Sequence, residues 1–305
     1  MAFDAFALIL AMLALGMLFA RLRTLPDSAA ETLNLVVLYV CLPAAILIHV
    51  PRLRMDPSLL GIVATPWLLA LAGSGAVLLL ARLARLRRDE TAVLLLCVVL
   101  GNTSYIGFPM VGALLGEQAL PYAVVYDQFG TFLLLSTFGL YVLARYDGDA
   151  PPTLRRIALR IVGFPPVWAL VAGLTVMPEQ PPAWVAEGLR KLADALLPLV
   201  MLAVGLSIRL RMPMDEVRPL AAGLALKLVA MPLLALGIAL LLGMPADMRQ
   251  VSVLESGMPP MITAAALAIS HGLAPRLAAA MVGYGIVLSL ATLPGWMLVL
   301  QRLAG

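Results

Sequence analysis

Long apolar runs, each ending at a short charged connection, follow one another along the whole chain. A spanning α-helix needs about 20 predominantly apolar residues. The runs reach that length without the alternation of apolar and polar positions that a barrel strand requires. The pattern therefore predicts an all-α polytopic membrane protein with ten transmembrane helices. These helices are expected at residues 3–20, 32–50, 59–82, 91–115, 119–145, 157–176, 188–209, 217–242, 248–271 and 275–300.

The composition excludes the soluble globular classes. Of the 305 residues, 62% are hydrophobic and 12% are charged, and the mean hydropathy is +1.00. A soluble domain is roughly 45–50% apolar and about 25% charged, because it needs a polar shell. The lipid bilayer is therefore the expected surrounding. The net charge of +4 indicates cytoplasmic connections rather than a nucleic-acid partner.

Lysine and arginine are sorted unequally between the two sets of connections. Fourteen lie in the set that includes Arg21, Arg82 and Arg145, six lie in the opposite set, and Lys227 lies inside a run. The side with the excess of positive charge faces the cytoplasm. We therefore expect a multi-pass protein of the cell inner (plasma) membrane with both termini outside.

Short matches recur in the same order in the two halves of the chain. Leu42-Pro43 in the second run matches Leu197-Pro198 in the seventh, and Gly107-Phe108-Pro109 in the fourth matches Gly257-Met258-Pro259 in the ninth. Because each half holds five helices, the second half must insert upside down, as in many secondary transporters. The predicted organisation is a first five-helix repeat over 1–146, a central cytoplasmic linker over 147–156 and an inverted second repeat over 157–305.

The fourth and ninth runs are each interrupted by glycine and proline. Proline removes a backbone donor and clashes with the preceding turn, so backbone groups are freed and must line a cavity or be buried in protein. Breaks at matching positions of two inverted halves point to a substrate site, although a simple proline kink is the alternative for either one alone. The predicted substrate-binding residues are Asn102, Thr103, Tyr105, Gly107, Pro109, Gly257, Met258 and Pro259.

Asn102 is the side chain of this set best suited to an anion. The N-termini of half-helices carry partial positive charge and favour carboxylates, and an amide offers both a donor and an acceptor. An interhelical hydrogen bond is the alternative role. The predicted ligand is therefore a small organic anion.

Four further polar residues lie inside the runs, where charges are costly and usually functional. They are Asp127, Gln128, Lys227 and Glu255. They are candidates for coupling to H⁺ or Na⁺; a structural ion pair for Asp127, and snorkelling of Lys227 to the surface, remain open. The sequence shows no His/Cys metal spacing, nucleophile triad or Gly-rich phosphate loop, so neither a resident metal or cofactor nor an enzyme is expected.

Five elements stand in a fixed order along nearly the whole chain: Asn34–Pro43 (NLVVLYVCLP), Gly101-Asn102 with Gly107-Phe108-Pro109, Leu197-Pro198 with Val204-Gly205-Leu206, Leu226-Lys227 with Met231-Pro232, and Gly257-Met258-Pro259. Together they resemble the auxin efflux carrier family in its bacterial branch, whose architecture is similar to that of the bile-acid/sodium symporters. The resemblance implies ten helices in two inverted repeats, with helices 4 and 9 broken and crossing at Pro109 and Pro259.

The resemblance also implies that the helices form two domains with different roles. Helices 1, 2, 6 and 7 form a scaffold domain, helices 3–5 and 8–10 form a transport domain, and Asn102 matches the asparagine that binds the substrate carboxylate. A homodimer through the scaffold is left open. Plant members carry an Asp and a Lys in the third helix, but the third run here, around Thr65-Pro66-Trp67, has no internal charge, so that pair is not carried over.

The function expected from the sequence is secondary transport of small organic anions by elevator-type alternating access. Mono- and dicarboxylates, auxin-like or malate- and malonate-like, are the substrate class implied by the resemblance. The sequence leaves two alternative functions open: an ion-coupled symporter of other solutes, and a channel or sensor-like membrane protein.

Overall fold

The computed structural model describes residues 2–26, 28–53, 56–147, 153–207 and 215–304. Every regular secondary-structure element assigned in those ranges is helical, which confirms the all-α class. In chain order the α-helices are α1 (Ala2–Leu22), α2 (Ala29–Val36), α3 (Leu42–His49), α4 (Leu59–Ala84), α5 (Arg88–Val99), α6 (Phe108–Leu115), α7 (Leu120–Tyr126), α8 (Phe132–Leu134), α9 (Leu140–Asp147), α10 (Leu154–Val162), α11 (Pro165–Thr175), α12 (Ala183–Asp194), α13 (Leu196–Ser207), α14 (Val217–Ala225), α15 (Met231–Leu241), α16 (Ala246–Ser256), α17 (Ile262–Ser270) and α18 (Pro275–Ala304).

Several of these helices continue into one another through π-helical turns and form longer rods. Five helical segments in the described ranges, whether single helices or joined rods, are long and apolar enough to cross a membrane: Ala29–Arg52, Leu59–Ala84, Glu117–Tyr146, Val217–Leu241 and Pro275–Leu303. Shorter apolar helices occupy Leu8–Leu22, Thr103–Leu115 and Pro165–Thr175. A multi-pass membrane protein follows from these lengths, while the count of ten spans stays a prediction.

Two of the predicted runs are divided differently from the expectation. The sixth run holds two helices, α10 and α11, because Phe164 precedes Pro165 and adopts an extended backbone (φ −96°, ψ 111°), as residues before proline do. The seventh run begins earlier, at Ala183, and separates into α12 and α13 at Ala195. At the predicted linker over 147–156, α9 ends at Asp147 and α10 begins at Leu154. Residues 148–152 lie outside the described ranges, so the linker stays a prediction.

Three π-helical turns have a common cause in the sequence. They span Val37–Cys41, Thr103–Gly107 and Leu226–Ala230, and each ends two residues before a proline: Pro43, Pro109 or Pro232. A proline ring clashes with the carbonyl four residues earlier and offers no N–H to it. The preceding turn therefore widens; before Pro232, for example, the Met231 N–H bonds the Leu226 carbonyl, five residues back. Two further π turns, Asp127–Thr131 and Leu135–Gly139, lack this proline.

The chain forms two compact units. The first contains residues 1–55, 104–124 and 161–208, and the second contains residues 56–103, 125–160 and 209–305. The predicted scaffold helices 1, 2, 6 and 7 lie in the first unit apart from the start of α10. The predicted transport helices are divided, since α6 and the first part of α7 also belong to the first unit.

In the first unit, α1 packs against α13 at backbone contact. A Cβ atom at Gly16 would lie 2.4 Å from the carbonyl oxygen of Leu202, and one at Gly205 would lie 2.4 Å from that of Leu13. Small residues that let two helix backbones meet are a common packing device in membranes, where lipid supplies no hydrophobic drive for association.

In the second unit, α5 is a central helix. Its residues from Glu90 to Val98 are buried on all sides, as an all-round apolar helix must be, and α4, α17 and α18 pack around it. Ion pairs tie the ends of neighbouring helices together. Arg87 Nη2 lies 2.8 Å from Glu216 Oε1, and Arg276 Nη2 lies 2.6 Å from Asp215 Oδ2.

Both ion pairs lie in connections rather than inside spans. The hydrogen bond to Glu216 raises the pKa of the Arg87 guanidinium. The pKa of Asp215 is lowered by its own backbone N–H and then by Arg276. In the second unit, these two ion pairs connect the starts of α5, α14 and α18.

We expect Gly16→Ala to destabilise the protein, because the added methyl would overlap the Leu202 carbonyl. The cost should be about 1–3 kcal/mol, as for other overpacking changes, measured by thermal unfolding in detergent. Gly75→Ala is the matched control: nothing lies within 4 Å of the added Cβ, and alanine should stabilise α4 by up to about 1 kcal/mol. Equal melting temperatures for the two variants would contradict the backbone contact.

Candidate functional site

Two chain breaks meet inside the second unit. One separates the end of α5 at Val99 from the helical segment that begins at Thr103, and the other separates α16 from α17. The Asn102 N–H donates to the Pro259 carbonyl at 2.8 Å, and the Met261 N–H donates to the Leu100 carbonyl at 3.0 Å. Gly101 and Pro260 form an isolated antiparallel bridge between these bonds. The backbone groups freed by one break are thus satisfied by the other.

The first break lies earlier than the sequence predicts. The chain leaves helical geometry at Leu100–Asn102 and is helical again through Gly107 and Pro109, with Pro109 in the first turn of α6. Proline is tolerated in a first helical turn, so Pro109 widens the preceding turn without breaking the helix. The prediction that Pro109 itself marks the crossing is therefore wrong, whereas Pro259 does bond the opposite break.

Gly257, Met258 and Pro259 form the second break, as predicted. The Gly257 N–H still closes the last turn of α16 on the Val253 and Leu254 carbonyls, and the Met258 N–H donates to the Glu255 carbonyl. The side chain of Met258 is fully buried. These residues therefore determine the backbone conformation at the break, and the carbonyl oxygen of Pro259 accepts from the Asn102 N–H.

The side chain of Asn102 is 1% exposed, and its amide Nδ2 is buried without a hydrogen-bond acceptor. A buried donor with no partner costs free energy, and this one lies at the meeting point of the two breaks. The next residue, Thr103, donates its hydroxyl to Asp127 Oδ1. Gln128 Nε2 donates to the other oxygen, Asp127 Oδ2, at 2.7 Å.

Lys227 and Glu255 reach the same region from two other elements. Lys227, in the π turn before Pro232, is 2% exposed, and its Nζ donates to the carbonyl of Ser256 at 3.2 Å. Glu255 is fully buried, and neither of its carboxylate oxygens has a hydrogen-bond partner. A cavity of about 10 Å³ lies among these groups, which is room for about one water molecule at most. Its lining includes Gly101, Thr103, Tyr126, Thr131, Lys227, Glu255 and Ser256.

The remaining predicted residues lie in the first unit. Tyr105 and Gly107 belong to the π turn over Thr103–Gly107, and Pro109 lines a cavity of about 250 Å³. That cavity has a mostly apolar wall and three titratable side chains, His49, Glu117 and Asp194. The second unit therefore contains nine of the twelve predicted residues, and the first unit contains the other three, Tyr105, Gly107 and Pro109. The nine are Asn102, Thr103, Asp127, Gln128, Lys227, Glu255, Gly257, Met258 and Pro259.

The chain matches the family described as "Membrane transport protein" over residues 1–297. It belongs to this family, the auxin efflux carrier family. An uncharacterized transporter of Methanothermobacter thermautotrophicus is 31% identical over 296 residues, which cover 96% of each chain. An uncharacterized transporter of Methanocaldococcus jannaschii is 24% identical over 214 residues, covering 67% of this chain and 68% of that protein. This auxin efflux carrier family member is accordingly a membrane transport protein.

The sequence does not predict a hydrogen bond that Trp296 makes beside the charged residues. Trp296 donates its indole N–H to the carbonyl of Leu228 at 2.9 Å, and that carbonyl is the one that the ring of Pro232 displaces. The indole thereby stabilises the π turn that carries Lys227. Pro232 was a local signal for the π turn over Leu226–Ala230. No local signal identified Trp296, because it lies far along the chain in α18.

We expect Trp296→Phe to lower the free energy of unfolding by about 1–3 kcal/mol, because the Leu228 carbonyl would lose its donor. The measurement is thermal unfolding of purified protein in detergent. Trp184→Phe is the control, since Trp184 is 79% exposed and its indole should matter little. If both variants melt at the wild-type temperature, the Trp296 bond does not stabilise the turn.

Proposed function

We propose that this family member is a secondary transporter of small organic anions. The anion binds where the breaks in predicted helices 4 and 9 cross. Mono- or dicarboxylates, auxin-like or malate- and malonate-like, are the proposed substrate class. The observation that carries the proposal is the unpartnered Nδ2 of Asn102, buried where the two breaks are hydrogen-bonded to each other.

The helix ends next to Asn102 support an anion rather than a cation. The helical segment that begins at Thr103, and α17, which begins at Ile262, both follow the breaks directly. Their first N–H groups have no intrahelical partner, and the positive end of the helix dipole lies at the same place. Together with an amide donor, such ends form a ready site for a carboxylate.

The proposal includes the finer expectations from the sequence. These are ten helices in two inverted repeats, elevator-type movement of a transport domain, an inner-membrane position with both termini outside, and a homodimer through the scaffold. A channel, or a symporter of other solutes, would differ in kinetics and substrate range, and no feature of the described residues favours either.

We expect Asn102→Ala to weaken carboxylate binding and transport. Loss of one hydrogen bond to a charged group costs about 1.5–3 kcal/mol, which corresponds to a roughly ten- to hundredfold weaker Kd. Malonate and indole-3-acetate are suitable probes, tested for binding by thermal shift and for saturable uptake in proteoliposomes. Asn34→Ala is the matched control, because Asn34 is the chain's other asparagine and lies in α2.

Unchanged affinity in a folded Asn102→Ala protein would remove this residue from the site. Fluxes that do not saturate with either probe would instead favour a channel. Failure of both probes to bind wild-type protein, with other solutes binding, would overturn the carboxylate class.

A further inference from the structure

The buried charges beside the crossing do not balance. Asp127, Glu255 and Lys227 are 0%, 0% and 2% exposed. Among the described residues of this cluster, two carboxylates accompany one ammonium, and their formal sum is −1. Tyr126 and Cys97 also interact electrostatically with this group, but both are ordinarily neutral side chains. A net buried charge is costly unless it is paired. The cluster therefore requires one more positive charge.

The hydrogen bonds distinguish the two carboxylates, because neutral donors solvate one of them and not the other. Asp127 accepts from Thr103 at one oxygen and from Gln128 at the other, which suits an ionised carboxylate. Glu255 accepts at neither oxygen. The additional positive charge is therefore needed at Glu255.

Lys227 lies at the C-terminal end of α16, where unpaired carbonyls favour a cation. The last carbonyls of a helix are unpaired and carry the negative end of its dipole. In transporters with broken helices, such ends coordinate the coupling ion. Here Ser256 is the last residue of α16, and its carbonyl is held by Lys227 Nζ. Gly101 makes room for this approach, since a Cβ there would lie 3.0 Å from Nζ.

We propose that the ammonium of Lys227 is a built-in substitute for a sodium ion at the C-terminal end of α16, so that the carrier works without sodium and its one mobile positive charge is a proton on Glu255. An O–H bond forms at the Glu255 carboxylate as hydronium on one side of the membrane gives up its proton and becomes water. The same bond breaks when the proton passes to water on the other side. The cavity of about 10 Å³ that Glu255 lines has room for about one water molecule at most.

The sodium part can be tested without any substrate. Purified protein is unfolded by heat in NaCl and in choline chloride of equal concentration. Wild type should show the same melting temperature in both salts, whereas Lys227→Met, which vacates the Ser256 carbonyl, should melt about 2–4 °C higher in NaCl than in choline chloride when sodium is well above its Kd. A sodium-specific rise in wild type would overturn the proposal even if Lys227→Met does not fold, and a folded Lys227→Met without that rise would also overturn it.

The proton part rests on the proposed carrier function and uses proteoliposomes. A pH gradient should drive accumulation of radiolabelled malonate by wild type. Glu255→Gln should abolish that accumulation, because it cannot exchange a proton, but should retain malonate exchange at equal pH on both sides. Glu187→Gln is the control, since Glu187 pairs with Lys191 on an exposed helix face, and it should behave as wild type.

The outcomes separate the two proposals. Gradient-driven uptake that persists in Glu255→Gln would remove Glu255 as the proton carrier while leaving anion transport intact. Absence of malonate transport in wild type would count against the proposed substrate class, and the proton assignment would then be decided by melting temperatures. The difference in melting temperature between wild type and Glu255→Gln should change between acidic and alkaline pH, and a constant difference would overturn the assignment.

Discussion

Backbone hydrogen bonding in an apolar interior is the constraint on which the rest of this site depends. A helix that stops inside the protein leaves carbonyls at one end and N–H groups at the other, and each unpaired group costs free energy. Here Leu100–Asn102 and Pro259–Met261 satisfy each other through two hydrogen bonds and a bridge. Without this pairing, the N–H groups of Asn102 and Met261 would lose the acceptors that they have here. The pairing also fixes Asn102 beside the second break, so the site exists because the two interruptions stabilise one another.

Two of the charged residues around the crossing lie in π-helical turns. Pro232 widens the turn that carries Lys227, and Trp296 from α18 satisfies the carbonyl that this widening exposes. Asp127 opens another π turn, over Asp127–Thr131, and meets Thr103 at the end of the first break. A regular α-helix has a fixed angular spacing of side chains, and each π turn shifts that spacing locally. The wider turns therefore help to aim buried polar groups that the apolar pattern alone would place differently.

The sequence predicts the parts of this protein that depend on local chemistry. Apolar length predicts helices, glycine with proline predicts interruptions in the fourth and ninth runs, and charge inside apolar segments identifies Asp127, Lys227 and Glu255. It misplaces the first break, because Pro109 fits a first helical turn and the true opening at Gly101 is stabilised by residues about 160 positions away. It also misses the division of the sixth run, although the extended residue before Pro165 was a local signal. The inverted repeat, the sidedness and the individual roles at the site stay predictions.

Each break exposes two helix ends of opposite polarity, and this links the two proposed ions. The C-terminal end of α16 is negative and holds the Lys227 ammonium, whereas the helices that begin at Thr103 and Ile262 are positive at their starts and favour a carboxylate. Glu255 lies in the last turn of α16, one residue before the carbonyl that Lys227 binds. A change in the charge of Glu255 therefore acts on the same short stretch of backbone that leads through Pro259 to Asn102. Coupling between a proton and an anion then needs no long pathway, because both would act on one hydrogen-bonded pair of breaks.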